Sequence, residues 1–266
     1  MTPISKWFDM VVFDWAGTMV DFGSRAPVLA LIEVFAAQGV TVDEAEARRD
    51  MGRAKADHVR ALLDLPRIAG AWRTATGTAP DEAAVDQVMA ALQAPMIRLA
   101  EETAELAPGA ADTVRRLRQA GLKIGSCTGY TREMMHTVLA RAASQGYAPD
   151  GLVCAHETPQ GRPSPQMIYK ACLDLDVWPL SRVIKVDDAE VGMAEGRNAG
   201  CFTVGVAASG NMVGLTAQAL AELDPDTRGR LLAEAGDRLR AAGADLVIDT
   251  VADLIPALEN ETARRG

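Results

Sequence analysis

The sequence predicts an α/β protein: a doubly wound parallel sheet with an all-helical domain inserted into it. Three observations predict it. Met10-Val11-Val12-Phe13 is an apolar run with the length of a buried parallel strand. From Pro108-Gly109 onward, short apolar runs alternate with helical patterns, which implies βαβ units with right-handed crossovers. Between these stretches, from about Ser24 to Leu99, the chain is rich in Ala, Leu, Arg and Glu, has helical periodicity and offers no convincing strand. The expected domains are residues 1–23 with 103–266 as an α/β core, and 24–102 as a helical cap.

The first strand delivers Asp14 at its carboxyl end, where open α/β sheets place their ligands. Gly17 and Thr18 turn the chain away, and Val20-Asp21-Phe22-Gly23 reads as a short turn. In the insert, Pro27 suits the first turn of a helix that runs to Gln38, with Gly39 as its stop. Helices follow over 42–49, 55–65, 66–76 and 81–102, and Pro95 is expected to kink or interrupt the last. The core resumes with a helix over 110–120, closed by Gly121, and a strand over 122–127 that leads into Thr128-Gly129-Tyr130. Thr131 can cap a helix to Gln145, with Glu133 favourably placed in its first turn. A strand over 151–155 precedes Ser164-Pro165, a cap and first-position pair for a helix to about Leu175. Val183 to Val186 is a strand ending in Asp187-Asp188, and 191–199 is a short helix. Strands over 201–206 and 245–249 complete the sheet, and 216–242 is a charged, Ala-rich helical excursion.

At 266 residues the chain can bury a sizeable core. Its formal net charge of −9 argues against nucleic acid or an anionic membrane surface as a partner, although a local cationic pocket can still take a small anion. Apolar stretches fall far short of the ~20 residues that span a bilayer, and no secretory signal pattern opens the chain. Cys127, Cys154, Cys172 and Cys201 form no CxxC pair, so they read as reduced thiols of a cytoplasmic protein.

Three strand ends carry candidate chemistry. Thr128-Gly129 places a hydroxyl and helix-start N–H groups where they can donate to phosphoryl oxygens, although an ordinary Thr cap would look the same. Asp187-Asp188 offers two carboxylates that suit a hard cation. Asp14 could cap its strand end and nothing more, but the later motifs weigh against that. In the insert, Lys55 and His58 share a helix face, and a lone helix Lys nearly always faces solvent.

Asp14-x-x-Gly17-Thr18 directly after a buried strand resembles the nucleophile motif of the haloacid dehalogenase superfamily. The resemblance implies a Rossmannoid core and phosphoryl transfer through an aspartyl-phosphate with magnesium. It assigns Asp14, Asp188 and the Ala16 carbonyl to the metal, and Arg162 to the cation that faces the phosphoryl group. Relatives often carry a further Asp where this chain has Gly192, which implies that a contact near the metal is missing. Phosphatases of the superfamily also carry an acid at the position of Ala16, and a methyl group cannot protonate a leaving oxygen.

The combination of Ala16 with Lys55 is similar to one family, the phosphonoacetaldehyde hydrolases. Supporting stretches are Met51-Gly52, Asp57-His58-Val59-Arg60-Ala61-Leu62, Gly129-Tyr130-Thr131-Arg132-Glu133-Met134-Met135, Gly161-Arg162-Pro163 and Glu195-Gly196-Arg197-Asn198-Ala199-Gly200. The match is loose after Leu215, and Ser24 stands where some relatives carry Cys. The similarity implies that a Lys55 imine supplies the electron sink for carbon–phosphorus cleavage, with His58 as its proton carrier. Met51, Thr128, Gly129, Tyr130 and Arg162 would then line a small phosphonate substrate, and Arg53 could help lower the Lys55 pKa. Family members are often dimers through the cap, and the apolar cap helices permit a homodimer. A magnesium-dependent phosphate-ester phosphatase or phosphomutase, and a non-catalytic phosphoryl-ligand binding protein, are the alternatives.

Overall fold

Met10–Phe13 is an inner strand of a six-stranded, all-parallel sheet in a computed structural model that describes residues 3–51 and 55–265. In chain order the elements are Pro3–Trp7 (α1), Met10–Phe13 (β1), Ala26–Ala37 (α2), Glu44–Arg48 (α3), Lys55–Leu63 (α4), Pro66–Thr76 (α5) and Glu82–Glu102 (α6). Then come Ala110–Gln119 (α7), Lys123–Cys127 (β2), Arg132–Ser144 (α8), Gly151–Val153 (β3), Gln166–Asp174 (α9), Val183–Asp187 (β4) and Glu190–Ala199 (α10). Phe202–Val206 (β5), Ala217–Glu222 (α11), Pro225–Ala242 (α12), Leu246–Ile248 (β6) and Leu254–Arg265 (α13) complete the chain. Two compact units result: Met1–Ser24 with Ala104–Gly266, and Arg25–Thr103.

The first unit holds the sheet, in the order β3-β2-β1-β4-β5-β6. Phe13 pairs with Ser126 on one side and Val186 on the other, so the carboxyl ends of β1, β2 and β4 lie abreast. The chain winds outward from β1 in both directions, which makes this edge the switch point where doubly wound sheets bind ligands. Strand β1 is buried at every position, as its unbroken apolar run requires. Helix α9 packs under β2 and β3 through Met167, Ile168 and Ala171, and Met193 of α10 meets Ala235 and Leu239 of α12. All four cysteines are buried and unbridged.

Every regular element among the described residues of the second unit is a helix. Helix α6 packs on α2 and α4. Phe35 meets Trp72 edge-on, with ring centroids 6.3 Å apart. Burying one such aromatic contributes roughly 1.5–3 kcal/mol. A capping box between Asp43 and Glu46 starts α3, and Arg67 donates to the same Glu46 carboxylate. No helix among the described residues is long and apolar enough to cross a membrane.

Three expectations about elements change. Helix α6 runs through Pro95 uninterrupted, because Val88, Leu92, Met96 and Leu99 bury one face on both sides of it. The proline removes a donor to the Ala91 carbonyl, and Ala91 is exposed to water. Ser164 does not cap α9, since Pro165 occupies the cap position and no side chain caps the helix. The excursion over 216–242 is two helices, parted where Asp224 accepts from the Thr227 N–H.

Candidate active site

Asp14 follows β1 but stays tied to its neighbour: its N–H donates to the Val186 carbonyl at 3.0 Å. The chain then curls so that the N–H groups of Thr18, Met19 and Val20 all point at the Trp15 carbonyl. Gly17 sits at φ 84°, and a Cβ there would lie 2.4 Å from Asp188 Oδ2. Only glycine permits both that conformation and that approach. Thr18 Oγ1 donates to Asp188 Oδ1 at 3.2 Å, and Ser209 Oγ closes the loop by donating to the Gly17 carbonyl at 2.5 Å. The spacing Asp14-x-x-Gly17-Thr18 thus joins the end of β1 to the end of β4.

Asp14, Asp187 and Asp188 are buried, and one oxygen from each lies within 4.8 Å of the others. Burial raises Asp14 to about 6, against the pull of Arg162 and with a further push from Asp187. Burial also drives Asp188 well above the ordinary carboxylate range, and Asp14 and Asp187 add to it. Asp187 behaves oppositely. Burial would raise it, but Arg162 and Lys185 outweigh burial and hold it below its usual value. The three carboxylates can hold a metal ion, and the fit favours two of them. Both Asp187 oxygens are already engaged, by the Ala189 N–H at 3.0 Å and by Lys185 Nζ at 2.9 Å. Among the described residues Asp188 accepts only from the neutral Thr18 hydroxyl and Asn211 N–H and faces no cation, and Asp14 faces Arg162. Among the described residues no main-chain donor takes the Ala16 carbonyl. The donor set is all oxygen, as a hard cation wants.

Arg162 reaches this cluster from the loop after β3. Its Nη2 donates to Asp14 Oδ1 at 2.7 Å and to the Cys127 carbonyl at 2.9 Å, while Nε donates to Glu195 Oε2 at 3.0 Å. Its Nη1 lies 3.4 Å from Asp187 Oδ2. Thr128 stands at the end of β2, almost fully buried, and its hydroxyl oxygen accepts the Tyr130 N–H at 3.1 Å. Among the described residues no acceptor takes its own O–H. Gly129 is exposed with open space where a Cβ would stand. The Tyr130 hydroxyl is buried without a hydrogen-bond partner among the described residues. Burial pushes this phenol well above its usual range, and Asp21, Asp14 and Asp188 add to the push.

In the second unit Lys55 opens α4 and is partly buried. Desolvation draws its ammonium down to about 8. His58, one turn later, is fully buried, and Met51 is partly buried. Arg60 ties this helix to α6 by donating from Nε to Glu82 Oε1 at 2.7 Å. Arg53 lies outside the described residues.

Sequence reasoning missed Lys185, Glu195, Ser209 and Asn211. Asn211 donates its N–H to Asp188 Oδ2 at 3.1 Å, from a loop with no motif to mark it. Lys185 had a signal: a charge inside a run destined for a strand buried on both faces must find a buried partner. At Gly192 a Cβ would lie 2.0 Å from Asp187 Cγ, so the Asp187 carboxylate fills the space beside it.

A family model described as haloacid dehalogenase-like hydrolase matches residues 8–200. The chain is 46% identical over 259 residues to the phosphonoacetaldehyde hydrolase of Paraburkholderia phytofirmans, covering 97% of each chain. It is also 46% identical over 259 residues to the phosphonoacetaldehyde hydrolase of Paraburkholderia xenovorans, again over 97% of both. Among solved structures, a phosphonoacetaldehyde hydrolase-like protein from Oleispira antarctica matches with a TM-score of 0.90 at 39% identity, over 98% of this chain and 95% of that one.

Proposed function

Because the chain belongs to the haloacid dehalogenase-like hydrolases, and within them to the phosphonoacetaldehyde hydrolase family, we propose that it hydrolyses the carbon–phosphorus bond of phosphonoacetaldehyde to acetaldehyde and phosphate. One observation carries the choice of bond: position 16 is Ala, so no acid stands where an oxygen leaving group would need one. Cleavage at carbon needs an electron sink instead.

Lys55 supplies the sink. Its amine, with a pKa drawn to about 8, adds to the aldehyde carbon and expels water to give an iminium. Asp14 then attacks phosphorus. The P–C bond breaks, its electron pair flows into the iminium, and a neutral enamine and an aspartyl-phosphate result. Arg162 and the Thr128 hydroxyl donate to the phosphoryl oxygens as charge shifts among them. Asp14, Asp188 and the Ala16 carbonyl would hold magnesium, which would supply a hard positive charge for the transfer. Water hydrolyses the aspartyl-phosphate to phosphate. Protonation of the enamine carbon and hydrolysis of the iminium release acetaldehyde and restore Lys55, with His58 carrying protons for these steps. Met51, Gly129 and Tyr130 complete the substrate surface.

The test is direct: incubate the protein with phosphonoacetaldehyde and magnesium and follow acetaldehyde and phosphate together. Equimolar release is expected. Turnover of phosphate esters without acetaldehyde release from phosphonoacetaldehyde would favour an ester phosphatase instead. The reading of the four cysteines as reduced thiols supports a cytoplasmic setting, and the apolar cap helices permit a homodimer, which sedimentation of the purified protein checks.

A further inference from the structure

Behind Asp14 lies a group of charges that the reaction does not touch. Lys185 and Glu195 are fully buried, and so is Asp187. Lys185 Nζ lies 2.9 Å from Asp187 Oδ2 and 3.2 Å from Glu195 Oε2. Neither contact has hydrogen-bond angles, so Lys185 serves as a point charge between two carboxylates. Glu195 Oε2 also accepts Arg162 Nε at 3.0 Å, and Oε1 has no hydrogen-bond partner among the described residues.

Helix α10 is shaped to seat this group. Gly192 and Gly196 lie one turn apart on one face. A Cβ at 192 would meet Asp187 Cγ at 2.0 Å, and one at 196 would meet the Lys185 Cβ and Cγ at 2.9 Å. The two glycines leave notches for the side chains of Asp187 and Lys185, and Glu195 of the same helix reaches Lys185 and Arg162. A guanidinium has five donors in a fixed plane, so holding Nε sets the direction of both terminal nitrogens. With Nε on Glu195, Nη2 falls on Asp14 at 2.7 Å.

We propose that Glu195 is a positioning residue: seated on Lys185, it holds Arg162 by Nε so that the guanidinium fork meets the nucleophile Asp14 and the group transferred to it. The inference rests on the reading of Arg162 as the phosphoryl grip. Lys185 offsets one of the two carboxylate charges of Asp187 and Glu195, and Arg162 faces the other.

The experiment is a double-mutant cycle on full-length protein with magnesium and phosphonoacetaldehyde, using Glu195→Gln, Arg162→Lys and the pair. Glu195→Gln keeps shape and one acceptor but removes the charge, and should lower kcat/KM by about 10–100-fold, mostly in kcat. In the Arg162→Lys background, where no Nε remains to hold, the same change should alter kcat/KM by less than about twofold. An equal loss in both backgrounds, or a Glu195→Gln enzyme as active as the parent, overturns the inference. A fully active Arg162→Lys enzyme instead overturns the reading of Arg162 and takes the inference with it. If Glu195→Gln does not fold, the parent protein still decides. Its 15N-labelled Arg162 should show a slowly exchanging Nε–H resonance, identified by its loss in Arg162→Lys. Absence of a protected resonance overturns the proposal.

Discussion

Asp187 and Asp188 are neighbours in sequence and opposites in role. Asp187 ends its strand on the face of Lys185 and turns toward Arg162, while Asp188, in the bend that follows, turns toward Thr18 and Asn211. Pairing with cations holds Asp187 ionised, whereas Asp188 and Asp14 are raised by burial and wait for an external positive charge. In the proposed mechanism Lys55 is the remaining residue whose protonation decides chemistry. Its folded pKa of about 8 lies below the ordinary 10.5, so the neutral amine gains as pH rises through about 8. kcat/KM should therefore climb with pH across that value and level off above it. Over the interval from about 8 to 10.5 the folded state binds fewer protons than the unfolded one, so stability should also rise with pH there. Lys55→Arg keeps a charge but forms no imine, and should be nearly inactive at every pH. A pH profile of Lys55→Arg with the same rising limb and comparable rates would remove Lys55 from the chemistry. At this scale Asp14, Thr128, Arg162 and Asp188 were legible because each ends or follows a strand in a recognisable motif. The division of labour between Asp187 and Asp188 was not, because a strand register distinguishes two adjacent carboxylates and a string of letters does not.

Helix α10 shows how an element can carry a site without contributing a reacting atom. At Gly192 the helix leaves the space that the Asp187 carboxylate occupies. Gly192→Ala should therefore cost stability, about 1–3 kcal/mol as overpacking, and displace Asp187 from Lys185. Chemical denaturation beside steady-state kinetics checks this, and an unchanged midpoint with full activity would show that the notch is not needed. Elements with long signals were legible: the apolar strands, the Thr131 cap of α8, which accepts the Met134 N–H at 3.3 Å, and Pro66 at the start of α5. Helix α1 has five residues, too few for a periodic pattern. Helix α13 carries Leu254, Ile255 and Leu258 at helical spacing, but Pro256 within its first turn obscures the signal. Pro95 misled in the other direction, since packing along α6 overrides its local preference.

For the whole molecule, the strand order decides which motifs become a site. Residues 14, 128, 162, 187 and 188 are scattered over more than half the chain, and a sheet that reverses at β1 brings their strand ends to one edge. The chain is acidic overall, and at this edge Arg162 is the cation that reaches Asp14, among the carboxylates of Asp14, Asp187 and Asp188. The proposed mechanism makes the reaction dependent on magnesium, which Asp14 and Asp188 would hold. Excess chelator should abolish turnover and added magnesium restore it, and Asp188→Ala should lose most activity while its circular dichroism is kept. Full activity in chelator would exclude the assigned metal.

The measurement closest to the chemistry is reductive trapping. Sodium borohydride added with phosphonoacetaldehyde reduces an iminium to a stable amine, so the protein should be inactivated irreversibly and only when substrate is present. Peptide mass spectrometry should then find a two-carbon adduct on Lys55, the residue whose amine is drawn to a pKa of about 8. Normal turnover in borohydride, or an adduct on another lysine, would contradict carbon–phosphorus cleavage through Lys55.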